Sequence, residues 1–153
     1  MHDSVKIRAA EVKDVTILTG FNVLMAQETE DKQLDPGVVT AGVRAVLEDS
    51  KRGFYLVSEI AGEVVASLMV TTEWSDWRDG EFWWIQSVYV APGFRRRGLF
   101  GALYGEVRER ARNTERVCGC RLYVEQDNDT AQATYARLGL LETDYKMFED
   151  VFR

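Results

Sequence analysis

The sequence predicts a mixed α/β domain with an antiparallel half and a parallel crossover. Three observations carry this expectation. The β-rich runs 54–60 and 63–72 are separated only by Ala61 and Gly62, which makes them a hairpin. The run 81–90 breaks at Pro92 and Gly93, and the apolar positions Leu99, Leu103, Val107 and Ala111 then recur at helical spacing, so a strand passes through a tight loop into a helix. A length of 153 residues, 46% hydrophobic and 29% charged, suits one domain, expected over residues 3–153.

The remaining elements follow in order. Val5, Ile7 and Ala9 alternate with polar residues as in a half-buried first strand. Helical spacing then runs from Glu11 to about Asp31, with a possible break at Gly20. Asp35 followed by Pro36 is a helix start, and Val39, Val43, Val46 and Leu47 form its apolar stripe, with Gly53 where the helix would end. After the 98–113 helix comes a short strand at 121–125, a helix from Asn128 through Arg137 closed by Gly139, and a last strand at 141–148. A right-handed crossover through the 98–113 helix sets strands 81–90 and 121–125 side by side.

Composition excludes several classes. A formal charge of −6 opposes general nucleic-acid binding, which needs a basic surface. No run approaches the roughly 20 apolar residues of a membrane span, and the N-terminus lacks the build of a secretory signal, so the chain reads as cytoplasmic. Cys118 and Cys120 flank one glycine, too close for an unstrained disulfide, and His2 is the single histidine. No metal site is expected, and the cysteines read as buried free thiols.

The positive charge is concentrated at Arg95, Arg96 and Arg97, just before Gly98. Here a strand end meets a helix N-terminus, where free N–H groups and the helix dipole favour an anion and glycine allows close approach. A pyrophosphate suits this loop, with arginines adding charge-assisted bonds. A solvated basic loop is the plainer alternative.

The residues Val88-Tyr-Val-Ala-Pro-Gly-Phe-Arg95-Arg96-Arg97-Gly98-Leu99-Phe100-Gly101 resemble the acyl-CoA signature of the GNAT acetyltransferases: a strand ending in Val-Tyr-Val-x-Pro, then Arg-x-x-Gly, then an apolar helix. Phe100 departs from it, standing where the signature has a small residue. A second stretch, with Asn128, Ala131, Tyr135 and Gly139 in register, looks like the later part of that family's pattern. The resemblance implies the GNAT fold: a mostly antiparallel sheet of six to seven strands with a splayed parallel pair, flanked by about four helices. It implies acetyl-CoA as co-substrate and no metal. Its cofactor contacts map to the strand end at Val88, Tyr89 and Val90, where pantetheine can bond as an added strand, to the side chains of Arg95, Arg96 and Arg97, to Gly98, and to the amides of Leu99, Phe100 and Gly101. It places Tyr135 near the thioester sulfur, able to protonate the departing thiolate, where helix spacing alone suggests a core aromatic. Asn128 stays open between a pantetheine contact and a helix cap.

For the acceptor, residues 73–84 hold all four tryptophans beside four carboxylates. Aromatic faces and carboxylates suit a cationic amine, of a small molecule or a peptide, and Trp74, Trp77 and Trp84 with Glu30 are the candidates. Core packing or a dimer surface is the alternative for the tryptophans. An alkylammonium must lose a proton before it attacks, and among Glu28, Glu30, Glu73, Asp76 and Glu81 the base expected first is Glu28. The resulting expectation is an N-acetyltransferase working by direct transfer, with a homodimer permitted. A non-catalytic acyl-CoA sensor and an interaction module of the same fold are the alternatives.

Overall fold

The computed structural model describes residues 4–153; His2, and Asp3 at the start of the expected domain, lie outside them. The described chain divides into a unit ending at Leu122 and a unit from Tyr123 to Arg153.

The first unit is built on a five-stranded sheet in the order β1-β2-β3-β4-β5. Strand β1 (Val5–Ala9) leads through a 3₁₀ turn to helix α1 (Val15–Glu30), which continues unbroken through Gly20, and then to α2 (Pro36–Glu48). Asp35 caps α2 as its sequence predicts, its carboxylate accepting from the Gly37 amide at 2.8 Å, and Pro36 occupies the first turn. Strands β2 (Phe54–Ile60), β3 (Glu63–Ser75) and β4 (Gly80–Val90) run antiparallel in succession. Helix α2 ends at Glu48, five residues before Gly53.

Alternation across the pleat sorts the core. Tyr55 and Val57 join Leu18 of α1 and Val43 of α2 in one buried cluster, with Val39, Val46 and Met69 packed around it. Their neighbours Leu56, Leu68 and Val70 are fully buried on the opposite face, and α3 (Leu99–Arg112) packs across β2 to β5. Where β1 enters α1, the half-buried Arg8 guanidinium grips both oxygens of buried Asp14, at 2.8 and 2.9 Å, and bonds Glu59 at 2.9 Å. Arg8 thereby holds the Asp14 carboxyl below the ordinary carboxylate range.

The crossover through α3 does set two parallel strands side by side, but the second is β5 (Val117–Arg121), not 121–125. The Cys118-Gly119-Cys120 run has weak strand propensity, which hid it. Packing selects it: a Cβ on residue 119 would stand 2.9 Å from the Phe82 ring, so glycine lets the parallel partner seat its aromatic there. Because β5 is a sheet edge, Cys118 is exposed and Cys120 half-buried, which corrects the expectation of two buried thiols; both are free.

The second unit contains α4 (Asp129–Arg137). Residues 141–148, expected as a strand, enter no strand, and their side chains are exposed. The sheet therefore has five strands rather than six or seven, with the four expected helices. Among the described residues no helix is long and apolar enough to cross a membrane, and no group of three or more His, Cys, Asp or Glu is placed to hold a metal.

Candidate active site

Two local features shape the end of β4. Between Ser67 and Met69 of β3, the paired β4 residues step from Tyr89 to Gln86, so β4 carries one extra residue, and Ser87 there has φ of 51°. The ladder to β5 ends at Trp84 and Arg121, whereas the ladder to β3 continues to Val90 and Ala66. Over residues 85–90, including Val88, Tyr89 and Val90, β4 is thus laddered to β3 alone. Its other edge, extended on both sides of the left-handed Ser87, is of the kind that accepts an added strand.

Beyond Val90, Pro92–Phe94 makes one 3₁₀ turn and the chain swings into α3. Arg96 (φ 64°) and Gly98 (φ 75°) both adopt the left-handed region, free of steric penalty only for glycine. Gly98 caps α3, and the helical ladder opens with the Ala102 amide donating to the Gly98 carbonyl at 3.0 Å. The amides of Leu99, Phe100 and Gly101 stand ahead of that first rung, the positive end of the helix dipole. The Phe100 ring stacks along the helix on Tyr104, centroids 6.3 Å apart.

The three arginines have separate fates. Arg95 turns back: its Nε donates to the Val90 carbonyl at 2.9 Å, a terminal nitrogen meets Glu28 Oε2 at 2.8 Å, and its guanidinium lies 5.4 Å from the centre of the Tyr89 ring. Arg97 covers Phe94, and Arg96 is exposed. Arg95 thus braces the loop to α1 and to the end of β4.

Glu28 sits at the other end of that brace. Its Oε1 accepts from the Tyr89 hydroxyl at 3.0 Å, and the Tyr89 ring packs on Phe21. The Arg95 guanidinium, helped by the Tyr89 hydroxyl, holds the Glu28 carboxyl below its ordinary range. A carboxylate so held is a weaker proton acceptor than a free one. Glu30 is exposed, 3.7 Å from Lys32.

The tryptophans divide. Trp83 is buried edge-on against Phe54, the core reading realised. The Trp84 indole N–H donates to Glu73 Oε1 at 3.2 Å, an oxygen that also takes a 2.7 Å bond from Arg121. Arg121 in turn lies 3.6 Å from the centre of the Phe82 ring. Trp74 and Trp77 stand out on the β3–β4 hairpin, 58% and 87% exposed.

In the second unit, the Asn128 carbonyl oxygen caps α4 by accepting from the Ala131 amide at 3.1 Å. Gly139 (φ 93°) ends that helix, with Leu140 N–H to Tyr135 C=O at 3.0 Å and Gly139 N–H to Ala136 C=O at 3.1 Å. Tyr135 is half-buried on this helix, and burial pushes its phenol up.

The structure thus brings Glu28, Tyr89 and Arg95 into direct contact and sets Gly98 at the head of α3, while Asn128 and Tyr135 share the second unit. Sequence reasoning missed the Tyr55 phenol, which is buried near Asn22 and Ser87 of the β4 bulge and is pushed up by that burial. No sequence signal marks the left-handed turn at Ser87 that makes this contact.

Fold and loop define a class: mixed-sheet proteins whose parallel crossover opens on a glycine-capped helix N-terminus. The particular family follows from comparison. The model of the acetyltransferase (GNAT) family matches residues 22–140, and the chain belongs to that family. A possible acetyltransferase from Clostridium difficile 630 is similar over its whole length, with 45% identity, a TM-score of 0.91, and coverage of 97% of this chain and 99% of that one. Two more distant structures share the fold. A predicted acetyltransferase with acetyl-CoA from Clostridium acetobutylicum has 16% identity, a TM-score of 0.78 and 96% coverage of each chain. The aminoglycoside N-acetyltransferase AAC(6')-Iy in complex with CoA has 15% identity, a TM-score of 0.81, and coverage of 99% of this chain and 97% of that one. No protein of curated function matches the sequence.

Proposed function

We propose that the chain is a single-domain, acetyl-CoA-dependent N-acetyltransferase that moves an acetyl group directly onto an amine of a small molecule or peptide. The observation that carries this reading is the β4–α3 turn, where glycine-capped first-turn amides and two arginines that make no ion pair among the described residues, Arg96 and Arg97, meet the one-sided end of β4. The residues present fit the cofactor. The amides of Leu99, Phe100 and Gly101, with Arg96 and Arg97, would hold the diphosphate, and the backbone of residues 85–90 would hold the pantetheine amides. Phe100 fits too, since its ring lies along the helix on Tyr104. Acetyl-CoA supplies the activated thioester when bound.

On this reading Tyr135 donates its proton to the departing thiolate. Its raised pKa supports that part, because a phenol pushed up by burial stays protonated at neutral pH. Trp74, Trp77 and Trp84, with the carboxylates of Glu30 and Glu73, receive the cationic acceptor. Glu28 braces Arg95. The amine attacks the thioester carbonyl as its neutral fraction, and the C–S bond breaks as the C–N bond forms. The proton shed by the amine nitrogen passes to water, and Tyr135 regains from solvent the proton it gives the thiolate.

The test is acetyl-CoA-dependent release of free thiol across small amines, polyamines, amino acids, aminoglycosides and lysine peptides, with Tyr135→Phe alongside. Release stimulated by one acceptor class and reduced about 100-fold or more in the variant, at unchanged acetyl-CoA affinity, is the expected result. Acetyl-CoA binding without release for any acceptor would favour a non-catalytic sensor, and full turnover by Tyr135→Phe would remove that residue from the mechanism.

A further inference from the structure

At the end of the sheet away from the β4–α3 turn, the first unit holds an open cavity of about 420 Å³ that the proposed acetyl transfer does not use. Strand alternation builds its apolar side. Phe54 of β2 and Trp83 of β4 stand on the face that α3 covers and meet edge-on, ring centroids 5.2 Å apart with 75° between the planes. Ala9, the last residue of β1, lines the same space with a single methyl group. The lining is mostly apolar, and the volume suits a ligand the size of one or two aromatic rings.

The rim is polar, and its unbalanced charge is negative. Helix α3 ends here: the Asn113 amide donates to the Glu109 carbonyl at 3.2 Å and Thr114 Oγ1 donates to the Arg110 carbonyl at 2.7 Å, which turns the chain and leaves the negative pole of the helix at the mouth. The exposed Glu109 carboxylate on this rim makes no ion pair among the described residues. The rim cation, Arg110, is neutralised by Glu106, its Nε donating to Oε1 at 2.9 Å. Arg8, which donates to the Ala9 carbonyl at 3.1 Å, is shared between the carboxylates of Asp14 and Glu59.

We propose that this cavity binds a small organic cation with an aromatic or compact apolar body, the ammonium at the Glu109 rim and the body against Phe54 and Trp83. Aromatic faces attract a cation while burying its apolar part, and the helix pole adds to that attraction. An anion meets Glu109 and the same pole with the wrong sign, and a neutral molecule gains the apolar contacts alone. The 14 residues of α3 span about 20 Å, so the site stands at the opposite end of the helix from Gly98 and shares no residue with the cofactor loop.

The four tryptophans make the test specific, because their indole N–H signals report separately on this cavity (Trp83) and on the proposed acceptor side (Trp74, Trp77 and Trp84). Phenethylammonium is titrated into the isotope-labelled full chain and followed by nuclear magnetic resonance, beside neutral phenethyl alcohol and anionic hydrocinnamate. The expected result is a saturable shift of the Trp83 signal, assigned with Trp83→Phe, at roughly 10-fold lower concentration for the ammonium than for the alcohol, with hydrocinnamate weaker still. Glu109→Gln, at an exposed helix position, is expected to weaken the ammonium roughly 3- to 10-fold and leave the alcohol unchanged. Ala9→Phe, at an exposed strand position that tolerates an aromatic, fills the cavity and is expected to abolish the Trp83 shift for both. A Trp83 signal unmoved at about 10 mM phenethylammonium, equal affinity for the three probes, or a shift that survives both Ala9→Phe and Glu109→Gln would overturn the proposal. Shifts confined to Trp74, Trp77 and Trp84 would place the cation on the acceptor side alone and overturn it equally. No acetyl-CoA is present in any of these titrations, so their outcome is independent of acetyl transfer.

Discussion

Arg95 reaches back across the turn after β4 to place a guanidinium nitrogen 2.8 Å from Glu28 Oε2, joining the last turns of α1 to the loop that leads into α3. The pair links the segment expected to face the acceptor with the segment expected to hold the cofactor. Because Arg95 holds the carboxylate below its ordinary range, Glu28 is expected to act as an anchor rather than as the base.

Glu28→Gln is therefore expected to raise the KM for acetyl-CoA roughly 3- to 10-fold, the scale of about 1 kcal/mol for an exposed ion pair, with kcat and its pH profile retained. Steady-state kinetics between pH 6 and 9 check this. A collapse of kcat at unchanged KM, with loss of a titrating group from the profile, would restore Glu28 to the role of base.

Asp14 gives a pH-dependent stability. Its folded pKa is lowered, mainly by the hydrogen bonds from Arg8, so its contribution is complete above the unfolded carboxylate value of about 3.9 and is lost as pH falls through the lower folded value. Asp14→Asn is expected to lower unfolding free energy by about 2–3 kcal/mol at pH 7, since it leaves a half-buried guanidinium short of its partner. Urea titrations of both proteins should show that gap closing below pH 4.

Gly98 and Gly139 separate the cofactor loop from helix stability. Each has positive φ and open space where a Cβ would stand, so Gly→Ala at either site meets backbone strain, about 1–2 kcal/mol, without collision. Thermal unfolding should register both substitutions. Calorimetric titration with acetyl-CoA is expected to show several-fold weaker binding for Gly98→Ala, which disturbs the first turn of α3, and little change for Gly139→Ala.

Trp77 and Trp83 are six residues apart with opposite assignments. Trp83→Ala empties core volume and is expected to cost about 3–5 kcal/mol. Trp77→Ala removes an exposed ring, so its unfolding temperature should stay within about 1 °C while the KM for the acceptor rises. An acceptor KM indifferent to Trp77 would take that ring out of the substrate site.

Much of the fold was legible along the chain because its signals are local. The Asp35-Pro36 cap, the 54–60 and 63–72 hairpin and the apolar face of α3 each depend on residues within one or two turns or a single strand. The misread elements depend on distant partners. Val117–Arg121 is a strand because Phe82 needs the space at Gly119, a contact 37 residues apart that strand propensity does not register. Residues 141–148 carry the alternation of a strand, but alternation supplies a face and not a neighbour to pair with.

The same division holds at the site. The sequence by itself determined that an arginine-rich, glycine-capped turn stands between β4 and α3 and that Asn128 and Gly139 bound α4, because caps and turn glycines act through backbone conformation a few residues away. Only the tertiary structure decided which arginine faces Glu28, which tryptophan is core, that β4 bulges at Ser87, and where β5 stops pairing. Those outcomes rest on side chains and strand edges that meet only after the sheet has formed, and their energies come from burial and pairing between residues that adjacent sequence cannot specify.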